Sequence, residues 1–147
     1  KGAAFDMAAI SAAQDSPIDM MMYYDTRPSS FCGLFDYYTY RPKKPYYVFY
    51  WYGSFYDCAH FIPCQSRIPD IFTLCGMYAD GKTQAVLTYY TDKDGQPAKT
   101  VTVDLGRTAK WDVYLLDETH NAERIETTQC PTFTLQPNTC MLLKEVD

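Results

Sequence analysis

The second half of the chain, from residue 67 onward, consists of short segments of alternating polarity separated by turn signals such as Asp80-Gly81 and Pro137-Asn138. Strands at this regular spacing are typical of an antiparallel sandwich or small barrel. A hairpin is indicated around Asp94-Gly95, between the second and third strands of the series. The predicted strands are Ile71–Tyr78, Gln84–Thr91, Lys99–Asp104, Asp112–Leu116, Glu123–Thr127, Thr132–Leu135 and Thr139–Lys144.

The first half of the chain has a different pattern of apolar residues. Residues 2–14 are rich in alanine and contain no breaker, which predicts a helix. Ile18–Tyr24 is a nearly continuous apolar run, as in a strand that is covered on both faces. After a loop over about residues 25–44, residues 45–57 begin with proline and predict a second helix. Aromatic residues surround this helix, so it is expected to need cover on all sides.

These elements predict a mainly β fold, an antiparallel β-sandwich preceded by a helix, a strand and a helix. We expect the boundary between the two parts after residue 66, giving units at 1–66 and 67–147. One parallel-type strand between two helices does not form a closed layer structure by itself. The first unit is therefore expected to be the end of a larger α/β domain, with the missing part lying before Lys1.

The charge of the chain limits its partners. The net charge is −5 and no basic stripe is present, so binding to nucleic acid or to an anionic membrane is disfavoured. No apolar stretch approaches the roughly 20 residues that span a bilayer. The first residues lack the apolar core of a signal peptide, which favours a cytoplasmic protein, although a signal on a longer precursor would not be visible.

The six cysteines show no C-x-x-C spacing, and the two histidines, His60 and His120, are far apart in the chain. A zinc site is therefore not expected. Apolar or small neighbours favour free structural thiols, and two disulfides, Cys58–Cys64 and Cys130–Cys140, stay open as alternatives. No phosphate-binding or dinucleotide motif occurs, so no cofactor is predicted.

The order of motifs resembles a known family. The segments GAAFDMAAISAAQDSPID, MMMYYDTRP and GLFDYYTYRPKKPYYVFYWYGSFYD, followed by the sandwich, look like the C-terminal end of glycoside hydrolases related to family 39, the β-xylosidase-like group. The resemblance implies that residues 2–14 are the seventh helix of a (β/α)8 barrel, 18–24 the eighth strand and 45–57 the eighth helix. Cys32 departs from the pattern, in which Asn often precedes Gly33.

The resemblance also implies a catalytic pair of glutamates on the fourth and seventh barrel strands. All glutamates of this chain lie in the sandwich half, so the pair is expected to be absent and the chain inactive alone. Asp25 and Asp36 follow a strand end, where barrel active sites gather. Asp25 is nevertheless expected to pair with Arg27 or to cap a turn. The glutamates are Glu118, Glu123, Glu126 and Glu145.

In a complete barrel, Tyr24, Asp25, Arg27 and Phe35 could contribute to a sugar subsite, because aromatic faces pack on pyranose rings and polar groups bind their hydroxyls. The alternative is that the rings fill space between barrel rim and helix, and Tyr23 is expected in the core.

Three functions stay open. The favoured one is the C-terminal portion of a carbohydrate-hydrolysing enzyme, and the second is a free carbohydrate-binding domain with exposed, coplanar rings on the sandwich. The third is an interaction protein that forms homo-oligomers through the exposed barrel end.

Overall fold

The computed structural model describes all 147 residues of the chain. Helix α1 spans Gly2–Ala13 and α2 spans Lys44–Ser54, with a 3-10 turn at Phe55–Asp57 directly after it. The strands are β1 His60–Phe61, β2 Ile71–Met77, β3 Thr83–Tyr89, β4 Lys99–Thr102, β5 Lys110–Leu116, β6 Asn121–Thr128, β7 Thr132–Leu135 and β8 Thr139–Val146. The prediction of a mainly β fold is confirmed, and each of the predicted strands of the second half forms within two residues of its expected ends.

The strands form two antiparallel sheets. The large sheet has the order β1-β2-β3-β8-β5-β6, and β4 pairs with β7 in a small second sheet. Strand β3 is buried along its whole length, because it lies in the large sheet with cover on both faces. Strand β6 is an edge strand and is mostly exposed, which its polar composition permits.

The predicted hairpin around Asp94-Gly95 is wrong. A turn does form there, with Gly95 at a φ of 67°. Strand β3, however, has no free edge, since Tyr89 is paired with Ile71 on one side and with Thr139 on the other. The chain therefore crosses after β3 to the small sheet, where β4 pairs with β7 instead.

Two apolar clusters hold the layers together. One lies between the helices and the large sheet and joins Met7 of α1 and Trp51 of α2 to Val86 and Leu142. The other lies between the two sheets and is centred on residues such as Trp111, which is 1% exposed. The large sheet is therefore covered by helices on one face and by β4–β7 on the other.

The predicted strand Ile18–Tyr24 does not form. None of residues 17–28 takes part in a hydrogen bond between backbone groups, and Met20 and Met22 are 75% and 83% exposed. A strand requires a neighbour to satisfy its backbone donors and acceptors, and no strand lies beside this segment. The part before the sandwich is thus a helix, an extended segment and a helix.

Helix α2 is buried where it faces the large sheet and only partly covered elsewhere, so the expectation of cover on all sides is not met in full. Val48, Trp51 and Phe55 at its end are buried, whereas Tyr50 is 65% exposed. The helix end approaches the sheet closely at Gly76, where a Cβ atom would lie 3.0 Å from the Phe55 ring. Neither α1 nor α2 is long and apolar enough to cross a bilayer.

Candidate functional site

The candidate site lies on the loop of residues 23–43, called here the central loop. Isolated bridges join Phe35 to Pro28 and to Pro42, so the loop folds back on itself twice. The Lys43 ammonium donates to the Ser29 carbonyl at 2.6 Å, and the Lys43 backbone N–H donates to the carbonyl of Leu34 at 2.8 Å. These contacts fix the loop against the start of α2.

Gly33 is required by the close approach of the loop to itself. A Cβ atom at this position would overlap the Arg27 carbonyl oxygen and would lie 2.8 Å from the Ser29 Cβ. The glycine of the family-like motif therefore has a structural reason here. Because glycine has no Cβ atom, the backbone at residue 33 can lie directly against the carbonyl of Arg27.

Asp25 and Arg27 form a closed pair. The Arg27 Nε and Nη2 atoms donate to Asp25 Oδ2 at 3.0 and 2.8 Å, and the Arg27 backbone N–H donates to Oδ1 at 2.6 Å. These hydrogen bonds lower the pKa of Asp25. The expectation that Asp25 pairs with Arg27 is confirmed. The peptide bond between Tyr24 and Asp25 is cis.

Asp36 caps a turn further along the central loop. Its Oδ1 accepts hydrogen bonds from the Thr39 backbone N–H and hydroxyl, both at 2.8 Å, and from the Tyr38 N–H at 3.1 Å. The Thr39 backbone donor, followed by its hydroxyl, lowers the pKa of Asp36. A general acid needs a raised pKa, so Asp25 and Asp36 do not have the properties of a glycosidase pair.

The aromatic residues of the site divide into two groups. Tyr24 is 78% exposed and lies beside the Asp25–Arg27 pair in sequence. Phe35 instead packs on Tyr46 of α2, with 5.3 Å between ring centroids. The structure therefore brings Tyr24, Asp25 and Arg27 together at the surface, whereas Phe35 has a packing contact of its own.

Tyr23 is half-buried, as expected for a residue that belongs to the core side of its segment. Its ring packs edge-on against Phe49 at 4.9 Å between centroids. Its hydroxyl donates to the Cys32 carbonyl at 2.8 Å. Cys32, the residue that departs from the family pattern, thus contributes its backbone carbonyl. This contact does not depend on the side chain at position 32.

Sequence reasoning missed a set of exposed tyrosines around the same site. Tyr50 of α2 is one of them, and it stacks on the partly buried Tyr46 with 6.3 Å between centroids and an interplanar angle of 11°. Nothing in the local pattern distinguishes these rings from core residues, because their exposure depends on which face of α2 meets the sheet. The exposed tyrosines of the loop and helix are Tyr24, Tyr37, Tyr38, Tyr40, Tyr50 and Tyr56.

A groove of about 660 Å³ between α2 and the large sheet was also not predicted. Tyr50 and Asp57 line it from the helix side, and Tyr114 and Lys144 line it from the sheet. The Lys144 ammonium lies 6.0 Å from the centre of the Tyr114 ring. No group of three or more His, Cys, Asp or Glu side chains is arranged to hold a metal ion.

No protein-family model and no curated protein sequence matches the chain. Solved structures that share its fold include two xylanases. The glycoside hydrolase family 30 subfamily 8 xylanase Xyn30A from Clostridium acetobutylicum superposes with a TM-score of 0.74 at 10% identity, over 99% of this chain and 39% of the xylanase. The GH30 endoxylanase from Clostridium papyrosolvens C71 gives 0.67 at 14% identity, over 99% of this chain and 38% of the enzyme.

At these identities the likeness defines the fold. The chain spans less than two fifths of the length of either xylanase. Both structures belong to family 30, and neither supports the resemblance to family 39 in particular. The class defined by the fold is thus a β-sandwich with a preceding helical segment, as found in part of these enzymes.

Proposed function

We propose that the chain is the C-terminal part of a glycoside hydrolase, comprising the end of a (β/α)8 barrel and an accessory β-sandwich. The observation that carries the proposal is the fold shared with two xylanases over 99% of the chain. In this proposal residues 1–66 belong to the barrel and residues 67–147 to the sandwich. The parent enzyme would hydrolyse O-glycosyl bonds of a xylan, the substrate that the names of both neighbours give.

The surface of the first unit supports this proposal. Met20, Met22, Tyr24 and Phe31 are at least 75% exposed, and Phe31 reaches 92%. Apolar side chains concentrated on one segment are unusual on a monomer and mark a surface that is covered by other protein. The backbone groups of residues 18–26 also form no hydrogen bonds with other backbone groups, as expected for a strand whose neighbours belong to the rest of a barrel.

We expect this chain to be inactive alone. Glu145, the best held of the glutamates, accepts hydrogen bonds from Arg107 and from the Thr83 backbone N–H, and these lower its pKa. Asp25 and Asp36 are engaged in their own turns. These three carboxylates therefore stabilise the fold through their hydrogen bonds. The catalytic acid and the nucleophile of the parent enzyme would come from earlier barrel strands.

Within the parent enzyme, Tyr24, Asp25 and Arg27 would form one wall of a sugar subsite. The Arg27 guanidinium is 76% exposed while its Asp25 partner is only 12% exposed, so the arginine presents unused N–H donors outward. Tyr24 offers an exposed ring beside it. Phe35 would support this wall from behind through its contact with Tyr46.

The alternative of a free carbohydrate-binding sandwich receives less support. Such a domain requires exposed rings on its sheets, but Trp111 and Tyr89 are 1% and 0% exposed. Every strongly exposed aromatic residue lies within residues 1–66. Oligomerisation through the exposed segment is a further proposal, since a second copy could cover the same apolar surface.

The test is the size and activity of the native protein. We expect an antiserum against this chain to detect a polypeptide with a mass above 16.9 kDa in the source cells. After immunopurification, this larger polypeptide should hydrolyse xylan. The isolated chain should not hydrolyse xylan or aryl β-xylosides. A native protein of this size, or turnover by the isolated chain that is lost in Asp25→Asn, would contradict the proposal. The variant Asp36→Asn is the matched control.

A further inference from the structure

The two faces of the large sheet separate the cysteines. Cys58 and Cys140 belong to the cluster under the helices, whereas Cys64 and Cys75 belong to the cluster between the sheets. The alternative pair Cys58–Cys64 would therefore have to join opposite faces of the sheet. Cys140 lies buried with its Sγ 3.9 Å from the Ala3 carbonyl, and its other suggested partner, Cys130, is exposed. Neither pair considered from the sequence is placed to form a bond.

Cys64 and Cys75 are neighbours across two adjacent backbone segments. The pairing of β1 with β2 places Phe61 opposite Gly76, and the Ile62 backbone N–H continues this pairing by donating to the Cys75 carbonyl at 2.9 Å. Two residues further on, the Thr73 hydroxyl donates to the Cys64 carbonyl at 3.1 Å. Side chains alternate along extended chains, so Cys64 and Cys75 point to the same side, as diagonal neighbours.

The two thiols also differ in chemical character. The neighbouring Cys75 thiol is the main cause that lowers the pKa of Cys64. The same contact, together with burial, raises the pKa of Cys75. Cys64 is half-buried and lines a cavity of about 520 Å³ that also reaches Cys75. A small thiol reagent thus has a route to the sulfur that is the better nucleophile.

We infer that Cys64 and Cys75 are a modification site: they form a reversible disulfide by exchange with a low-molecular-weight disulfide of the glutathione type. The Cys64 thiolate attacks one sulfur of the oxidised glutathione, forming a mixed disulfide and releasing one glutathione thiolate. Cys75 then attacks the Cys64 sulfur, its proton passes to the second glutathione sulfur as that leaves, and the protein disulfide closes. The two protein thiols are oxidised, and one glutathione disulfide is reduced to two thiols.

The consequence of the bond is local. It would fasten the segment 62–68, which covers one edge of the space between the two sheets, to the neighbouring strand β2. Closing a short loop in this way restricts the unfolded chain, so the oxidised protein should be harder to unfold than the reduced protein. The inference does not depend on the proposed glycoside hydrolase function.

The test uses the full chain incubated with oxidised glutathione and then alkylated, digested and analysed by mass spectrometry. We expect a peptide pair joined through Cys64 and Cys75, lighter by two hydrogen atoms and separated by dithiothreitol. The variant Cys64→Ser should not form this cross-link, whereas the matched control Cys130→Ser should form it to the same extent as the unaltered chain. Glutathione retained on Cys64, or a bond that joins Cys64 to Cys58, would overturn the inference.

A second measurement compares the oxidised and reduced forms of the unaltered chain first, so its main result does not depend on the folding of a variant. The midpoint of thermal unfolding of the unaltered chain should be higher after oxidation than after reduction. The difference should disappear in Cys64→Ser and persist in Cys130→Ser. An equal midpoint for the oxidised and reduced proteins, with the cross-link present, would contradict the proposed fastening of residues 62–68 to β2.

Discussion

Two regions of this molecule obtain their structure in different ways. In the region of residues 71–146, each strand pairs with a neighbour from the same region, and the apolar faces pack on one another. Residues 17–28 make no hydrogen bonds between backbone groups and expose a row of large apolar side chains. The strands of the first region find their pairing partners in this structure. The second region has the apolar composition of a buried strand, but no strand pairs with it here.

The largest expected difference, between the sandwich and the loop that directly follows residues 17–28, is in the effect of removing an aromatic ring. Trp111→Ala should lower the free energy of unfolding by about 3–5 kcal/mol, since the indole is fully buried between the sheets. Phe31→Ala should change it by less than about 0.5 kcal/mol, because this ring is 92% exposed. Urea unfolding followed by circular dichroism measures both. A large loss in Phe31→Ala would show that its ring is covered in solution.

The helices should behave like the sandwich and not like the segment between them. Met7 of α1 is 0% exposed in the cluster against β3 and β8, so Met7→Ala should cost about 2–4 kcal/mol. The control Phe5→Ala removes a half-exposed ring from the same helix. If Met7→Ala left the sandwich stability unchanged in chemical denaturation, α1 would not be part of the cooperative unit.

Two glycines offer a smaller and more local test. Gly76→Ala should destabilise the protein by about 1–3 kcal/mol, because the new Cβ would lie 2.7 Å from the Cys58 Sγ. Gly53→Ala meets no atom within 4 Å and lies in α2, so it should stabilise by roughly 0.5 kcal/mol. Cys58→Ala should partly rescue Gly76→Ala in a double-mutant cycle. Equal effects of the two glycine substitutions would contradict the close packing of the helix end on β2.

The smallest effect concerns pH. Burial raises the pKa of Asp6 from 3.8 to about 6. The folded state thus binds a proton that the unfolded state lacks between these values, and the free energy of unfolding should fall as pH rises from about 4 to 6. Asp6→Asn should remove this dependence and stabilise by about 1 kcal/mol at pH 7, after allowance for solvent screening. Thermal melts of the unaltered chain and of Asp6→Asn at pH 4 and pH 7 measure this dependence. The same pH dependence in both proteins would argue against the burial of this carboxyl.

The success of sequence reasoning follows the same division. The strands of the second half were predictable because alternation and turn residues are local features of the sequence. The Asp94-Gly95 hairpin was not, since the pairing of β3 is decided by β2 and β8, which are distant in sequence from that turn.

At the candidate site, the Asp25–Arg27 pair could be predicted from its short spacing, and its hydrogen bonds are local. The packing of Phe35 on Tyr46 and the exposure of the loop tyrosines could not, because they depend on how the central loop returns to α2. The apolar run Ile18–Tyr24 predicted a strand covered on both faces, and this prediction is wrong for the structure, in which most of these side chains are exposed. It could not show that the chain itself provides no strand to pair with it.

The most direct test of the proposed barrel end is hydrogen–deuterium exchange on the monomeric fraction of the isolated chain. We predict that the amides of residues 18–26 exchange at the rate of an unprotected chain while those of β3 and β8 remain protected. Slow exchange of residues 18–26 in a monomer, comparable with that of β3, would mean that the chain itself provides partners for these amides. That result would contradict the proposal that residues 18–24 are a barrel strand whose neighbouring strands belong to the rest of a barrel.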